Sequence, residues 1–253
     1  MFRPKSGAHP KSKAQHMHST RTFALLAICF VLFMGCKKDS DLPDPPTGDE
    51  PVPTAIKYLA LGDSYTIGES VPESERWPVL LREKLVANDI DCDSAEIIAR
   101  TGWRTDNLSN AIEAADLQPE YDLVSLLIGV NNQYQGRSLS EYETQFEELL
   151  NTAITLAGGD TAKVFVVSIP DYGYTPFGAS NQAAISPAID DFNQAHLDIC
   201  LQYGVRHFNI TPISREGLNQ PSYVAPDGLH PSGEQYAAWV DLIYPGVREM
   251  ARP

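Results

Sequence analysis

Four cysteines in 253 residues, with no Cys-x-x-Cys, His-Glu-x-x-His or His/Cys cluster, give no pattern that suggests a metal site. Gly-x-Gly-x-x-Gly and the phosphate-cradling P-loop are both missing, so no nucleotide cofactor is indicated and none is expected. Neither Gly-x-Ser-x-Gly nor Ser-x-x-Lys occurs, which excludes the nucleophile settings of the α/β-hydrolases and of β-lactamase-type enzymes. Basic residues are scarce: 19 Lys and Arg stand against 33 Asp and Glu, a net charge of −14. Long hydrophobic runs are lacking too. The longest, Phe23 to Met34, has 12 residues, short of the roughly 18 that a membrane-spanning helix needs.

That run has a different use. Five basic residues (Arg3, Lys5, Lys11, Lys13, Arg21) and no acidic one precede it, and Gly35-Cys36 follows, the layout of a signal peptide. Leu32-Phe33-Met34-Gly35-Cys36 is similar to a bacterial lipobox, although Phe33 and Met34 are larger than that pattern prefers. Cleavage there makes Cys36 an acylated first residue, and the exported protein is then anchored to the cell envelope (outer membrane or cell surface) without spanning it. Met17 is a second candidate start, since Met17 to Cys36 alone forms a compact signal. Loss of residues 1–36 leaves 14 basic and 33 acidic residues, a net charge of −19. So acidic a surface repels phosphate backbones and anionic lipid alike. No nucleic-acid partner is expected, and membrane attachment is expected only through lipid on Cys36. Cys92 and Cys200 remain; a disulfide between them and two separate buried thiols are both open.

Residues 37–53 are rich in Pro and Asp and read as an extended tether. Residues 54–253 suit one domain, expected as a monomer. Within it, apolar runs alternate with amphipathic ones. Strands are expected at Ile56–Leu61, Ala95–Ala99, Leu123–Val130, Lys163–Ile169 and Val205–Ile210. Helices are expected at Trp77–Ala87, Asp106–Leu117, Leu139–Thr155 (with Ser140 as cap), Ser186–Tyr203 (opened by Pro187) and from Ser232 past Ile243. This rhythm predicts a three-layer α/β/α sandwich around a mostly parallel five-stranded sheet, with ligands bound at the carboxyl ends of the strands.

Chemistry-bearing residues fall at those ends. Gly62-Asp63-Ser64 closes the first strand, Gly102 follows the second, Gly129-Val130-Asn131-Asn132 closes the third, and Asp227-Gly228-Leu229-His230 precedes the last helix. A serine hydroxyl needs a base to become a nucleophile, and an acid three residues before a histidine can reach its ring in a tight turn. Each motif taken singly is also an ordinary turn or cap. The rival bases are His196 and His207, the first within a helix and the second in a strand with no acid nearby, and both read as structural.

In order and placement the motifs resemble the SGNH/GDSL hydrolase superfamily, whose four blocks supply Ser, Gly, Asn and His. The likeness runs from about residue 57 to residue 245, with Gly62-Asp63-Ser64-Tyr65-Thr66, Gly102, Gly129-Val130-Asn131 and Asp227 with His230 as its four blocks. One position departs: Asn132 stands where the third block usually has Asp. The resemblance implies a flavodoxin-like fold and a carboxylic ester hydrolase without metal or cofactor that works through an acyl-serine. In it Ser64 is the nucleophile, His230 the base and Asp227 the orienting acid. The oxyanion hole is formed by the N–H groups of Ser64 and Gly102 and by the Asn131 amide. The family includes lysophospholipases, thioesterases and carbohydrate acetylesterases.

The aromatics of Ser168–Phe177, notably Tyr172 and Tyr174, and Trp103 with Arg104 after Gly102, are candidate substrate contacts. Two other readings keep the same fold: a non-catalytic glycan- or peptide-binding lipoprotein, and an acyltransferase using the same triad. A decayed enzyme would have lost one of Ser64, Gly102, Asn131, Asp227 and His230, and all five are present.

Overall fold

The computed structural model describes residues 55–251. The expected signal, Cys36 and the 37–53 tether lie outside the described residues. Five strands, β1 (Tyr58–Asp63), β2 (Glu96–Arg100), β3 (Leu123–Leu127), β4 (Val164–Val167) and β5 (Arg206–Phe208), form one sheet in the order β2-β1-β3-β4-β5. Every pairing is parallel. Chain direction across the sheet reverses between β1 and β3, and in this strand order the crevice beyond their carboxyl ends is where ligands bind.

The helices are α1 (Ser64–Ile67), α2 (Trp77–Val86), α3 (Thr105–Ala115), α4 (Val130–Tyr134), α5 (Leu139–Leu156), α6 (Gln182–Tyr203), α7 (Thr211–Ser214) and α8 (Gly233–Met250). Residues of β1, β3 and β4 are buried throughout, as strands covered on both faces must be. Their apolar side chains join Trp77, Leu81 and Leu85 of α2, Tyr142, Phe146 and Leu150 of α5, and Tyr236, Trp239 and Ile243 of α8 in a continuous core. Cys92 and Cys200 are separate buried thiols, and burial pushes them up to about 11 and about 12.

Several expected boundaries shift for identifiable reasons. β1 runs two residues past Leu61 because Gly62 and Asp63 still pair with Ala99 and Arg100 of β2. β3 stops at Leu127, since Gly129 at φ 131 breaks the extended run and turns the chain into α4. The cap of α5 is Ser138, not Ser140: its hydroxyl accepts the Glu141 N–H at 3.2 Å, which only a residue ahead of the first helical position can do. α6 begins a turn before Pro187, which therefore lies inside it. The carbonyl freed by that proline belongs to Ala183, which is exposed like Pro187 itself, so solvent can satisfy it. The short helices α1, α4 and α7 have too few residues to show a periodicity.

Candidate active site

β1 delivers the nucleophile candidate. Asp63, the last residue of the strand, accepts the Tyr65 N–H at 3.0 Å and so starts α1 with Ser64 as its first residue. The strand can turn so sharply because Gly62 has no side chain: a Cβ there would lie 2.1 Å from Thr66 Oγ1 and 2.5 Å from Leu127 O. Ser64 is nearly buried, and its Oγ makes no hydrogen bond among the described residues. Asp63 itself is fully buried, and burial pushes its carboxyl up to about 7 against the hydrogen bonds from Tyr65 and Asn131.

The turn 225–230 delivers the acid and the base. Ala225 N–H donates to His230 O and Gly228 N–H to Ala225 O, while Val224 and Pro231 pair as an antiparallel bridge. Inside that turn the Asp227 carboxylate meets the His230 ring, with Oδ2 at 2.6 Å from Nδ1. Its Oδ1 accepts the N–H groups of Leu229 (2.9 Å) and His230 (3.0 Å), and Oδ2 also accepts Ser70 Oγ–H at 2.6 Å. Partial burial works to raise the Asp227 carboxyl, but the bonds from Ser70, His230 and the two amides outweigh it and hold it well below the usual carboxylate range. An ionised acceptor at Nδ1 keeps the imidazole proton on that nitrogen and leaves a lone pair on Nε2. Tyr65, next to Ser64, packs against this imidazole with ring centres 5.3 Å apart.

Gly102 and Asn131 meet on the other side. Gly102 sits at φ 80, a conformation that suits glycine, and its N–H has no partner among the described residues. From α4, Asn131 Nδ2 donates to Trp103 O at 3.0 Å and more weakly to Asp63 Oδ2 at 3.4 Å, and Gln135 Nε2 donates to Gly102 O at 3.2 Å. The carbonyls of the Gly102 loop are thus tied to α4. Asn132 points the opposite way, fully buried, and clamps Thr105 at the start of α3.

The other candidates divide. Tyr172 borders a small cavity of about 10 Å³ beside His230, room for about one water, and its hydroxyl donates to Gln133 Oε1 at 2.8 Å. Trp103 is half-buried, tied through its carbonyl to Asn131. Arg104 is occupied by Gln135 and Asp106. Tyr174 turns away to lie under the Arg215 guanidinium, 5.8 Å from it. His196 and His207 form a pair with Nε2 atoms 3.0 Å apart, removed from the triad, with His196 Nδ1 bonded to Tyr142. Burial holds both well below the usual imidazole range, His207 at about 4. Two residues not singled out from the sequence belong to the site: Ser70, on Asp227, and Tyr134, whose ring packs with Tyr172 (5.9 Å) and Phe177 (6.1 Å). Tyr134 lies one helical turn beyond Asn131, an i, i+3 spacing that places both on one side of α4.

Solved structures share the fold. TesA aligns with a TM-score of 0.62 and 16% identity, covering 77% of this chain and 99% of that one. A lipase/acylhydrolase from Enterococcus faecalis aligns with a TM-score of 0.63 and 16% identity, covering 77% and 96%. Axe2, an acetylxylan esterase from Geobacillus stearothermophilus, aligns with a TM-score of 0.58 and 17% identity, covering 78% and 94%. No curated protein matches the chain in sequence. The sequence profile of the GDSL-like lipase/acylhydrolase family, in contrast, matches residues 60–238, and the chain belongs to that family.

Proposed function

We propose that this GDSL-family hydrolase is a serine esterase that cleaves acyl esters of small or surface-accessible substrates, with Ser64, His230 and Asp227 as its triad. The observation that carries the reading is the Asp227–His230 pair: a carboxylate with four hydrogen-bond donors among the described residues holds the imidazole proton on Nδ1, so Nε2 is free to act as base on a ring that packs against Tyr65, the neighbour of Ser64. Ser64 Oγ attacks the ester carbonyl carbon as its proton passes to His230 Nε2. The carbonyl π electrons move onto oxygen, where the N–H groups of Ser64 and Gly102 and the Asn131 amide stabilise them; for Asn131, the hydrogen now on the 3.4 Å contact to Asp63 is the one to redirect. The intermediate collapses, the C–O bond to the alcohol breaks, and His230 returns the proton to the departing oxygen. Water then attacks the acyl-Ser64 carbonyl, giving its proton to His230 Nε2, and Ser64 leaves with that proton as the carboxylic acid is released.

The surroundings bear on the alcohol part of the substrate. The small cavity bordering His230 has none of Ser64, Gly102 and Asn131 in its lining, so the acyl group is not held there. Outside it, Tyr134 and Phe177 are 58% and 52% exposed and pack with Tyr172 into an open aromatic shelf. Phe177 N–H donates to Gly228 O at 3.0 Å, which fixes the shelf to the turn that carries the base. A shelf of this kind suits the flat apolar face of an alcohol part such as a sugar ring. Two structural neighbours are named for action on sugar esters, the acetylxylan esterase from Geobacillus stearothermophilus and a carbohydrate acetylesterase family member from Sinorhizobium meliloti.

Labelling with an activated ethyl phosphonate ester tests the mechanism. The serine-esterase reading expects a phosphonyl adduct on the Ser64 peptide, and a protein that stays unlabelled while folded contradicts it. Export and lipid anchoring at Cys36 are the second part of the proposal, supported by the basic, apolar, Gly-Cys order of residues 1–36. Fatty-acid incorporation that disappears in Cys36→Ala is the expected result.

A further inference from the structure

The loop after α1 is bent in an unusual way. Gly68 ends the helix at φ 67, and two residues later Ser70, which carries a side chain, adopts φ 67 as well. Left-handed backbone outside glycine is strained, and near a reactive centre such strain points to a role. The hydroxyl supplies one. Ser70 Oγ donates to Asp227 Oδ2 at 2.6 Å, on the same oxygen that accepts His230 Nδ1.

Its position makes this donor different in kind. The other three donors to Asp227 are the Leu229 N–H, the His230 N–H and the His230 ring, all within the acid–base turn and moving with it. Among the described residues, Ser70 alone reaches that carboxylate from outside. Its loop runs straight from the nucleophile, with Glu69 N–H donating to Ser64 O at 3.0 Å and Val71 N–H to Gly68 O at 3.3 Å. The neighbouring Glu69 carboxylate accepts Thr101 Oγ1–H, one residue before Gly102. Residues 68–71 therefore link the helix that bears Ser64 to the acid–base turn and to the glycine loop.

We infer that Ser70 is a positioning residue of the hydrolase: its hydroxyl ties the Asp227–His230 turn to the Ser64 helix and so sets the alignment of base and nucleophile. The inference rests on the triad reading above. Without that bond the turn keeps its internal geometry and the imidazole its tautomer, but the pair is free to drift from Ser64. Because proton transfer depends on alignment, the loss falls on turnover and not on substrate binding.

Two variants separate this role from a structural one. Ser70→Gly removes the donor but relieves the backbone, since glycine accepts φ 67 without steric strain. Ser70→Asn keeps a side chain that tolerates left-handed backbone and offers an amide donor. With p-nitrophenyl acetate, Ser70→Gly is expected to lower kcat about tenfold with KM within about twofold of wild type, as for loss of one charge-assisted hydrogen bond in part open to solvent. Its thermal midpoint should be equal or higher. Ser70→Asn should recover kcat to within about threefold.

Wild-type kcat in Ser70→Gly overturns the inference, as does an equal kcat loss in both variants or a loss that tracks a lowered midpoint. Ser64→Ala, run alongside, separates the two levels. If it is inactive while Ser70→Gly is unchanged, only the role of Ser70 falls. If Ser64→Ala turns over like wild type, the triad reading fails and this inference with it.

Discussion

Asn132 holds Thr105 at two points, accepting its backbone N–H on Oδ1 at 3.1 Å and donating from Nδ2 to its Oγ1 at 2.7 Å. Thr105 Oγ1 in turn gives its own proton to Gln145 Oε1 on α5. The relay has a direction, and only a side chain that both accepts and donates can start it. The Asp usual at this place in the family accepts but does not donate when ionised. Thr105 would then have to turn its proton back, leaving Gln145 without a donor. The departure at Asn132 is thus matched by its neighbours, and the glycine loop stays anchored to α4.

Replacing Asn132→Asp buries a charge and breaks that relay. We expect a loss of about 1–3 kcal/mol in urea unfolding at pH 8. Part of it should return at pH 5, where a protonated carboxyl can again donate. A variant as stable as wild type at pH 8 would show that the relay carries no energy.

Asp63 gives a pH-dependent prediction. Its carboxyl, at about 7 in the fold, lies above the roughly 3.9 of an unfolded aspartate. The folded state therefore holds this proton more tightly, and the group's stabilising share is full below about pH 4 and is lost as pH rises through about 7. Asp63→Asn keeps an acceptor for the Tyr65 N–H and carries no charge to bury. Its stability relative to wild type should improve between pH 4 and pH 8 by on the order of a few kcal/mol. A difference that does not change with pH would mean that the buried charge is compensated in a way absent from this geometry.

Gly62→Ala should be among the most damaging single changes in the domain. The added Cβ meets backbone at Leu127 O, 2.5 Å away, and β1 and β3 are paired at that point, so neither can yield cheaply. A loss of about 2 kcal/mol or more, or failure to fold, is expected. Normal stability in a melting experiment would contradict the close approach of β1 and β3.

The aromatic shelf predicts a change in binding without a change in chemistry. Tyr134→Ala with Phe177→Ala removes two exposed rings that pack on each other and leaves Ser64, Asp227 and His230 in place. For an acetylated oligosaccharide, KM should rise about 5- to 20-fold, the sum of two ring contacts, while kcat with p-nitrophenyl acetate stays near wild type. Equal KM values for the oligosaccharide would remove the shelf from substrate recognition.

The layered fold and its parallel sheet were readable because β1, β3 and β4 are buried on both faces and show as unbroken apolar runs between amphipathic helices. The Asp227–His230 contact was readable because a three-residue separation in one turn needs no tertiary knowledge. Ser70 was not, since its bond to Asp227 joins residues 157 apart and depends on a left-handed backbone that serine rarely adopts. Tyr174 shows a related limit: proximity to Tyr172 in sequence does not fix surroundings, and its ring lies by the Arg215 guanidinium while Tyr172 borders the cavity beside His230. The start of α6 was hidden by Pro187, whose usual place at a helix opening outweighed the weakly patterned residues before it.

The central claim is that Ser64 is the nucleophile, and the most direct test is the initial rate of p-nitrophenyl acetate hydrolysis by wild type and Ser64→Ala at equal concentration. The account predicts measurable wild-type turnover and a fall of about 10³-fold or more in a variant with unchanged folding. A Ser64→Ala protein that hydrolyses the ester as fast as wild type would contradict it.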